Sequence, residues 1–419
     1  MQAEKKMRVL IVNTSERIGG AAIAASRLMG ALKKNGVKAK MLVRDKQTDH
    51  LTVLSVGHHW TQPFKFVWER WCIFMANRFS RKNLFQVDIA NTGTDITALP
   101  EFKRSDVIHL HWVNQGFLSL SVIDKVVRSG KPVVITMHDQ WYFTGICHYS
   151  GNCEKYKTLC HDCELMKGNW LGDFAKQVFL KKQHIYSGAK LTFVGCSEWM
   201  ANLARSSKLT QGQKVVSIPN AINTELFRPT DKKQAREAFD LPQDKHLLLF
   251  GCQRITDERK GFKFLVEALE IIKRNNPQFA KEIELVVVGG EAESVRSHVP
   301  FDIFPIRYVS DPQKMVSLYN AVDIYVTPSL QDNLPNTIME AMACGVPCVG
   351  FNVGGIPEMI DHKANGYVAA YQDAQDFADG IVWTLTTDHA QLSRHAREKV
   401  MTAYSEIAVA KKYMEVYES

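Results

Sequence analysis

Two carboxylates and four thiols are the residues whose types and spacing suggest chemistry. Asp332 stands in a polar turn, residues 331–336, and Glu340 follows eight residues on, inside an expected helix over 337–344. A helix start presents free N–H groups that can hold a phosphate. A carboxylate beside it is wasted on that phosphate but accepts hydrogen bonds from sugar hydroxyls. The pair therefore suits a ligand that is part phosphate and part polyol. Cys147, Cys153, Cys160 and Cys163 fall within seventeen residues and close with a C-x2-C knuckle. Thiolates at such spacing can close tetrahedrally around zinc, with bonds of about 2.3 Å. The segment is polar and has no clear period, so it is a loop in need of a staple. His148 and His161 are substitute ligands, and two disulfides or free thiols are the other reading of the same cysteines.

These groups must be placed by strand ends. Residues 323–327 and 348–351 are short, apolar and β-branched, as buried strands are. Pro335 near the first turn and Gly345 just past the end bracket the helix between them. The same alternation runs through the earlier chain. Strands are expected at 8–13, 38–44, 106–111, 133–137, 191–196 and 215–218, with helices at 21–34, at 118–129 and from Glu198, capped by Ser197. It restarts with a strand at 246–251, a helix from Phe262, strands at 284–288 and 307–309, and a helix at 313–321; the last helix covers 407–417. Strand, loop and helix repeated in this way form the parallel α/β pattern. In an open sheet of that kind ligands bind at the carboxyl ends of the strands. Gly19-Gly20 sits after the first strand, and His109, His111 and His138 sit at later strand ends.

The chain has 419 residues, more than one core usually takes, so two or three domains are expected. Its 45% hydrophobic and 23% charged content is ordinary for a globular protein. No run of 18 apolar residues marks a membrane span, and the start lacks a signal-peptide core and cleavage site. The expectation is a cytoplasmic protein, peripheral on the inner face of the plasma membrane. The net charge of +8 favours anionic partners such as sugar nucleotides or acidic headgroups. Nucleic acid is not expected, because the basic residues are scattered and the cysteine segment lacks a recognition helix. Nine cysteines in such a chain are expected reduced or metal-bound.

The run TPSLQDNLPNTIMEAMACGVPCVGFNVGGIPE, residues 327–358, resembles the signature of retaining GT-B glycosyltransferases of family 4 (glycosyl transferases group 1), of the bacterial surface-polysaccharide type. The Glu-Ala-Met-Ala-Cys-Gly block from Glu340 and the Gly354-Gly355 pair match that pattern. Asp332 stands where most members have Glu, and Asn333-Leu334-Pro335 replaces Gly-Phe-Pro/Gly. Thr136-x-His138-Asp139, the Gly20 loop, and Arg254 with Lys260 six residues on before Gly261 also resemble family segments. The resemblance implies two Rossmann-like domains facing across a cleft. These are an acceptor-side domain over 1–222 with a Cys-rich insertion at 147–163, a nucleotide-sugar domain over 223–400, and a helix over 401–419 packing back on the first domain. It further implies that Arg254 and Lys260 take the donor diphosphate, whose negative charge grows as the sugar leaves. Glu340 holds the ribose and Asp332, with Asn333 and Leu334, the donor sugar. Val309 or Tyr308 touches the base, and His138 and Gly20 close the site. The implied catalytic set is His138, Asp332, Arg254 and Lys260. No Asp-x-Asp motif stands at a suitable strand end, so no catalytic metal is expected, and zinc at the four cysteines would be structural.

The implied reaction moves a sugar from a nucleotide-sugar donor to a glycan or lipid-linked glycan acceptor. A sugar-nucleotide epimerase or hydrolase of the same fold is one rival, and a non-catalytic zinc-bearing binding subunit is another. Residues 59–85 add a partner question. Phe64, Val67, Trp71, Phe74 and Met75 recur at helical spacing, with Lys65, Arg70, Arg78, Arg81 and Lys82 around them. Such a helix either lies on an anionic membrane surface or packs its aromatics into the first domain's core with a solvated basic face.

Overall fold

The computed structural model describes residues 6–57 and 60–419. The expected start of the aromatic helix at His59 lies outside the described residues. The chain divides into two units, Met1–Ala221 with Val409–Ser419, and Ile222–Ala408.

In the first unit the strands are β1 (Arg8–Ser15), β2 (Lys38–Asp45), β3 (Val53–Ser55), β4 (Val107–Leu110), β5 (Val133–Met137), β6 (Leu191–Gly195) and β7 (Lys214–Ser217). They form one parallel sheet in the order β3-β2-β1-β4-β5-β6-β7. Val9 to Val12 and Val133 to Met137 are all buried, because helices cover both faces of a parallel sheet. Gly19, at φ 90, precedes the helix Gly20–Lys34, which lays Ala25, Leu28 and Leu32 on the sheet. From the far end of the chain Val409, Ala410, Tyr413 and Tyr417 join that same core.

The second unit repeats the plan with β8 (His246–Arg254), β9 (Ile283–Gly290), β10 (Ile303–Ile306), β11 (Ile324–Thr327), β12 (Cys348–Phe351) and β13 (Gly366–Ala369). Their order is β10-β9-β8-β11-β12-β13, again all parallel. Each unit is thus Rossmann-like, and together they make the GT-B fold. The short strands β3 and β13 had not been expected. The strand expected at 307–309 lies instead at Ile303–Ile306. Its register with β9 ends at Ile306 opposite Val288, after which β9 reaches Gly289 at φ 148 and Arg307–Val309 leave the sheet.

Helix Gln62–Ala76 is the larger departure. It buries Gln62, Glu69, Arg70, Ile73 and Ala76, while Phe64, Val67, Trp68 and Trp71 stand exposed. Of the two readings of this helix, the one that packs its aromatics into the core with a solvated basic face is overturned. The buried face is fixed by charge: Arg70 pairs with Asp88 and donates to the Leu84 and Val87 carbonyls, and Glu69 accepts the Ile89 and Ala90 N–H groups.

Candidate functional site

In the second sheet β8 and β11 are neighbours although β9 and β10 separate them in the chain. Connections leave that pair in opposite directions, which opens a crevice at their carboxyl ends. Arg254 is the last residue of β8, and Lys260 ends the turn that follows. Gly261 adopts φ +67, and a Cβ there would lie 1.9 Å from the Pro328 carbonyl oxygen. Only glycine lets this turn lie directly on the loop after β11. The Leu330 N–H then donates to the Arg259 carbonyl at 2.7 Å. On the other side Gly354, at φ +60, lies against the Asp332 carbonyl, where a Cβ would come within 1.7 Å. The Asp332 loop is therefore held between its two neighbours.

That packing brings Lys260 Nζ to 2.6 Å from Asp332 Oδ2. Both are partly buried, at 30% and 16% side-chain exposure, so the pair is sheltered yet reachable. Burial works against the Lys260 ammonium, but the charge and hydrogen bond of Asp332 outweigh it and raise the pKa above that of ordinary lysine. Arg254 is exposed and makes no ion pair among the described residues. Glu340 is buried on the helix Asn336–Ala343 and accepts a 2.8 Å hydrogen bond from the Tyr319 hydroxyl. The Tyr319 ring lies 6.2 Å from that of Tyr325, whose hydroxyl reaches the Gly251 carbonyl of β8 at 3.1 Å. Asn333 and Leu334 are buried between Asp332 and the helix start. Lys260 and Asp332 are thus joined directly, and Glu340 is tied to β8 through two tyrosines. Val309 is half-buried beyond the end of β10.

The first sheet has the same switch between β1 and β4. Gly20 opens the helix after β1, and His111 and His138 follow β4 and β5. His111 Nδ1 and His138 Nε2 are 2.9 Å apart, and His138 Nδ1 lies 3.5 Å from Cys196 Sγ. His109 is spent on structure, between the Tyr417 hydroxyl and Thr136 Oγ1, both at 2.7 Å. Burial pushes His138 down to about 4 and His109 down to about 3, and it holds His111 well below the usual imidazole value. All three are neutral near pH 7, so His138 offers an oriented hydrogen bond rather than a charge. Asn114, after β4, is 1% exposed, and among the described residues neither of its amide atoms has a partner. Sequence reasoning passed over it, since a lone loop Asn carries no signal.

Sequence reasoning named Asp139 only as part of the motif with His138, and it passed over Asp88. Asp139 accepts from His148 Nδ1 at 2.7 Å, from Trp112 Nε1 at 2.8 Å and from the Trp141 N–H at 2.9 Å. His148 Nε2 meets Asp88 Oδ2 at 2.5 Å. Both ring nitrogens are taken, so His148 is no substitute metal ligand in this arrangement. Burial opposes the imidazolium, but the two carboxylates outweigh it and lift His148 to about 10. His161 stands outside on Asp162. Cys147 and Cys160 are buried and Cys153 and Cys163 half-buried, all as free thiols. They lie near enough to repel one another as thiolates: burial, then Cys163, pushes Cys147 up to about 12, and Cys160 rises to about 11. Four clustered thiols are a donor set that suits zinc. Among the described residues, though, no three His, Cys, Asp or Glu side chains are arranged to hold a metal ion.

Two family models match the chain, "Glycosyltransferase Family 4" over residues 18–226 and "Glycosyl transferases group 1" over residues 244–387. The D-inositol 3-phosphate glycosyltransferase of Saccharomonospora viridis is 29% identical over 197 residues, covering 44% of this chain and 45% of that protein. The first curated relatives are matched over about half of their length or less. The putative colanic acid biosynthesis glycosyl transferase WcaC of Escherichia coli is 23% identical over 339 residues, 77% of each chain. Among solved structures, Anabaena Alr3699/HepE in complex with UDP and glucose superposes with a TM-score of 0.63 at 14% identity, over 99% of this chain and 100% of that one. At that identity the likeness speaks for the fold.

Proposed function

Since the chain belongs to the group 1, family 4 glycosyltransferases, we propose that it moves a sugar from a nucleotide-sugar donor to a hydroxyl of a glycan or lipid-linked glycan, with retention, in the assembly of a surface polysaccharide. The observation that carries this reading is the 2.6 Å pair of Lys260 and Asp332 at the β8–β11 switch point. A diphosphate arriving there competes with Asp332 for the Lys260 ammonium, and Arg254 supplies a second cation. Asp332, released in part, turns to the hydroxyls of the donor sugar. One event thus sets the cation on the phosphates and the carboxylate on the sugar. The complexes of Alr3699/HepE with UDP and with UDP-glucose support a nucleotide-sugar donor.

As the anomeric carbon–oxygen bond breaks, negative charge gathers on the departing diphosphate, where Arg254 and Lys260 stabilise it. The acceptor oxygen bonds to the same carbon from the same face, and its proton passes to the leaving phosphate oxygen. Glu340, steadied by Tyr319, takes the ribose hydroxyls, and Asn333, Leu334 and Val309 line the sugar and base. The reading also assigns the His138 side chain and the Gly20 backbone to the donor sugar, on the family resemblance. Its test is a screen of nucleotide sugars for thermal stabilisation and for turnover with and without acceptor; release of free sugar alone would mark a hydrolase and overturn it. Glu340→Gln is expected to weaken nucleotide binding by about tenfold to a hundredfold, through loss of a charge-assisted hydrogen bond. Titration calorimetry with the free nucleoside diphosphate measures it.

Structural zinc at Cys147, Cys153, Cys160 and Cys163 belongs to the same proposal, carried by the sequence spacing of the four thiols and their closing C-x2-C knuckle. Elemental analysis of the purified protein is expected to find about one zinc per chain, as a closed four-thiolate site holds. Chelation should lower the melting temperature and expose four titratable thiols. Metal-free protein of unchanged stability would remove the assignment.

A further inference from the structure

Helix Gln62–Ala76 spends its polar residues inward and its aromatic ones outward. Gln62 donates to Thr94 Oγ1 at 2.8 Å, and Glu69 and Arg70 are locked into the Asp88 network. These anchors fix the helix about its axis, so the outward aromatic face is specified by the fold. Phe64 is 75% exposed, Trp68 56% and Trp71 50%. Together with Lys65, Val67 and Thr92 they line a surface groove of about 450 Å³.

The apolar surface continues past the helix. Ring centroids run from Trp71 to Phe74 at 5.8 Å, to Phe79 at 5.7 Å and to Trp170 at 6.4 Å. Trp170 comes from the segment after the four cysteines, and its indole N–H donates to the Met75 and Ala76 carbonyls at the helix end. An apolar face this continuous is seldom left in water without a partner. Tryptophan, apolar in body and polar at its N–H, suits the boundary between headgroups and acyl chains.

Charge selects among occupants. Over residues 60–85 Glu69 is the one acidic residue and it is buried, while Arg78, Arg81 and Lys82 are exposed and Lys65 is half-exposed. The charge shown to solvent along this stretch is positive. A second copy docked face to face would set these cations against their equals, whereas anionic headgroups neutralise them. No described helix is long and apolar enough to cross a membrane. We propose that the outward face of Gln62–Ala76, extended by Phe79 and Trp170, docks on an anionic lipid bilayer, with the rings at the acyl boundary and the basic residues among the headgroups. This inference does not rest on the donor site.

Flotation of the full chain with vesicles tests it. Wild-type protein is expected to float with vesicles of phosphatidylcholine and about one-third phosphatidylglycerol, roughly tenfold more than with phosphatidylcholine alone, and less as salt rises. Its tryptophan emission should shift to the blue and be quenched by brominated acyl chains. Trp68→Ser with Trp71→Ser, and separately Arg78→Glu with Arg81→Glu and Lys82→Glu, should each cut the bound fraction about tenfold, with circular dichroism and nucleotide binding unchanged. Wild-type protein that stays with the unbound fraction, or a tryptophan variant that floats as well as wild type, overturns the proposal. A vesicle-independent dimer abolished by Trp68→Ser with Trp71→Ser would assign the face to a second copy and overturn it equally. The quenching arm uses unaltered protein, so it decides the matter even where a variant fails to fold.

Discussion

Lys260→Ala is expected to lower kcat/KM by about 10²–10³-fold, the loss that follows removal of one positioned charge-stabilising group. The effect should fall mostly on kcat, because the ammonium matters most when the sugar–phosphate bond is breaking and charge is greatest. The side chain stands 2.6 Å from Asp332 at the carboxyl edge of β8, on a turn that Gly261 presses against the neighbouring loop. Lys260→Arg should rescue poorly, since a guanidinium is planar and longer and the clamped turn leaves little room to reposition it. Asp332→Asn separates the two roles. It keeps the cation for the diphosphate, so nucleoside diphosphate should still bind, while sugar transfer should fall sharply. The raised pKa of Lys260 keeps it charged across the neutral range, so no pH break near 7 should come from Lys260. Steady-state kinetics with the donor found by screening, alongside calorimetry with the diphosphate alone, measures both variants. Unchanged turnover in Lys260→Ala would remove the charge-stabilising role.

His148→Ala is expected to destabilise the first unit by about 3–5 kcal/mol, the cost of leaving buried Asp139 without its cation, while Asp88 keeps Arg70. Asp88 and Asp139 both lean on that imidazolium, at 2.5 and 2.7 Å. The wild-type protein carries a pH signature of the same contact. The folded pKa, about 10, lies above the ordinary 6.5. The imidazolium's stabilisation is therefore fully present below about 6.5 and is lost as pH rises through about 10. Thermal or urea unfolding of both proteins between pH 6 and 10 should show a steeper alkaline loss in wild type, with the two converging at high pH. Parallel curves would mean that His148 is not charged in the folded protein. Since Asp139 follows His138 directly, the variant should also disturb whatever His138 does.

The residues explain what was legible. The strand at Cys348–Phe351 and the helix from Glu198 lie where expected, because short β-branched runs and a Ser cap are local signals. The need for glycine at 261 and 354 was visible only as family pattern, and its physical cause is approach to a carbonyl oxygen far along the chain. Arg307–Val309 has strand composition, but the pairing of β9 with β10 ends at Val288 and the run lies outside the strand. The role of His148 was misread because its partners, Asp88 and Asp139, are sixty and nine residues away.

By itself the sequence determined the alternation of strands and helices, the two-part repeat and the loop ends where the charged side chains gather. These follow from periodicity and local turn chemistry, which act over a few residues. Tertiary structure alone decided that Lys260 meets Asp332 across 72 residues and that the aromatic helix faces outward. Periodicity shows that a helix has two faces; it does not show which one the core will take. Here the buried face was taken by polar partners: Arg70 pairs with Asp88, and Glu69 accepts the Ile89 and Ala90 N–H groups. Once Asp88 was buried beneath the helix, Arg70 had to turn inward to meet it, and the tryptophans were left outside.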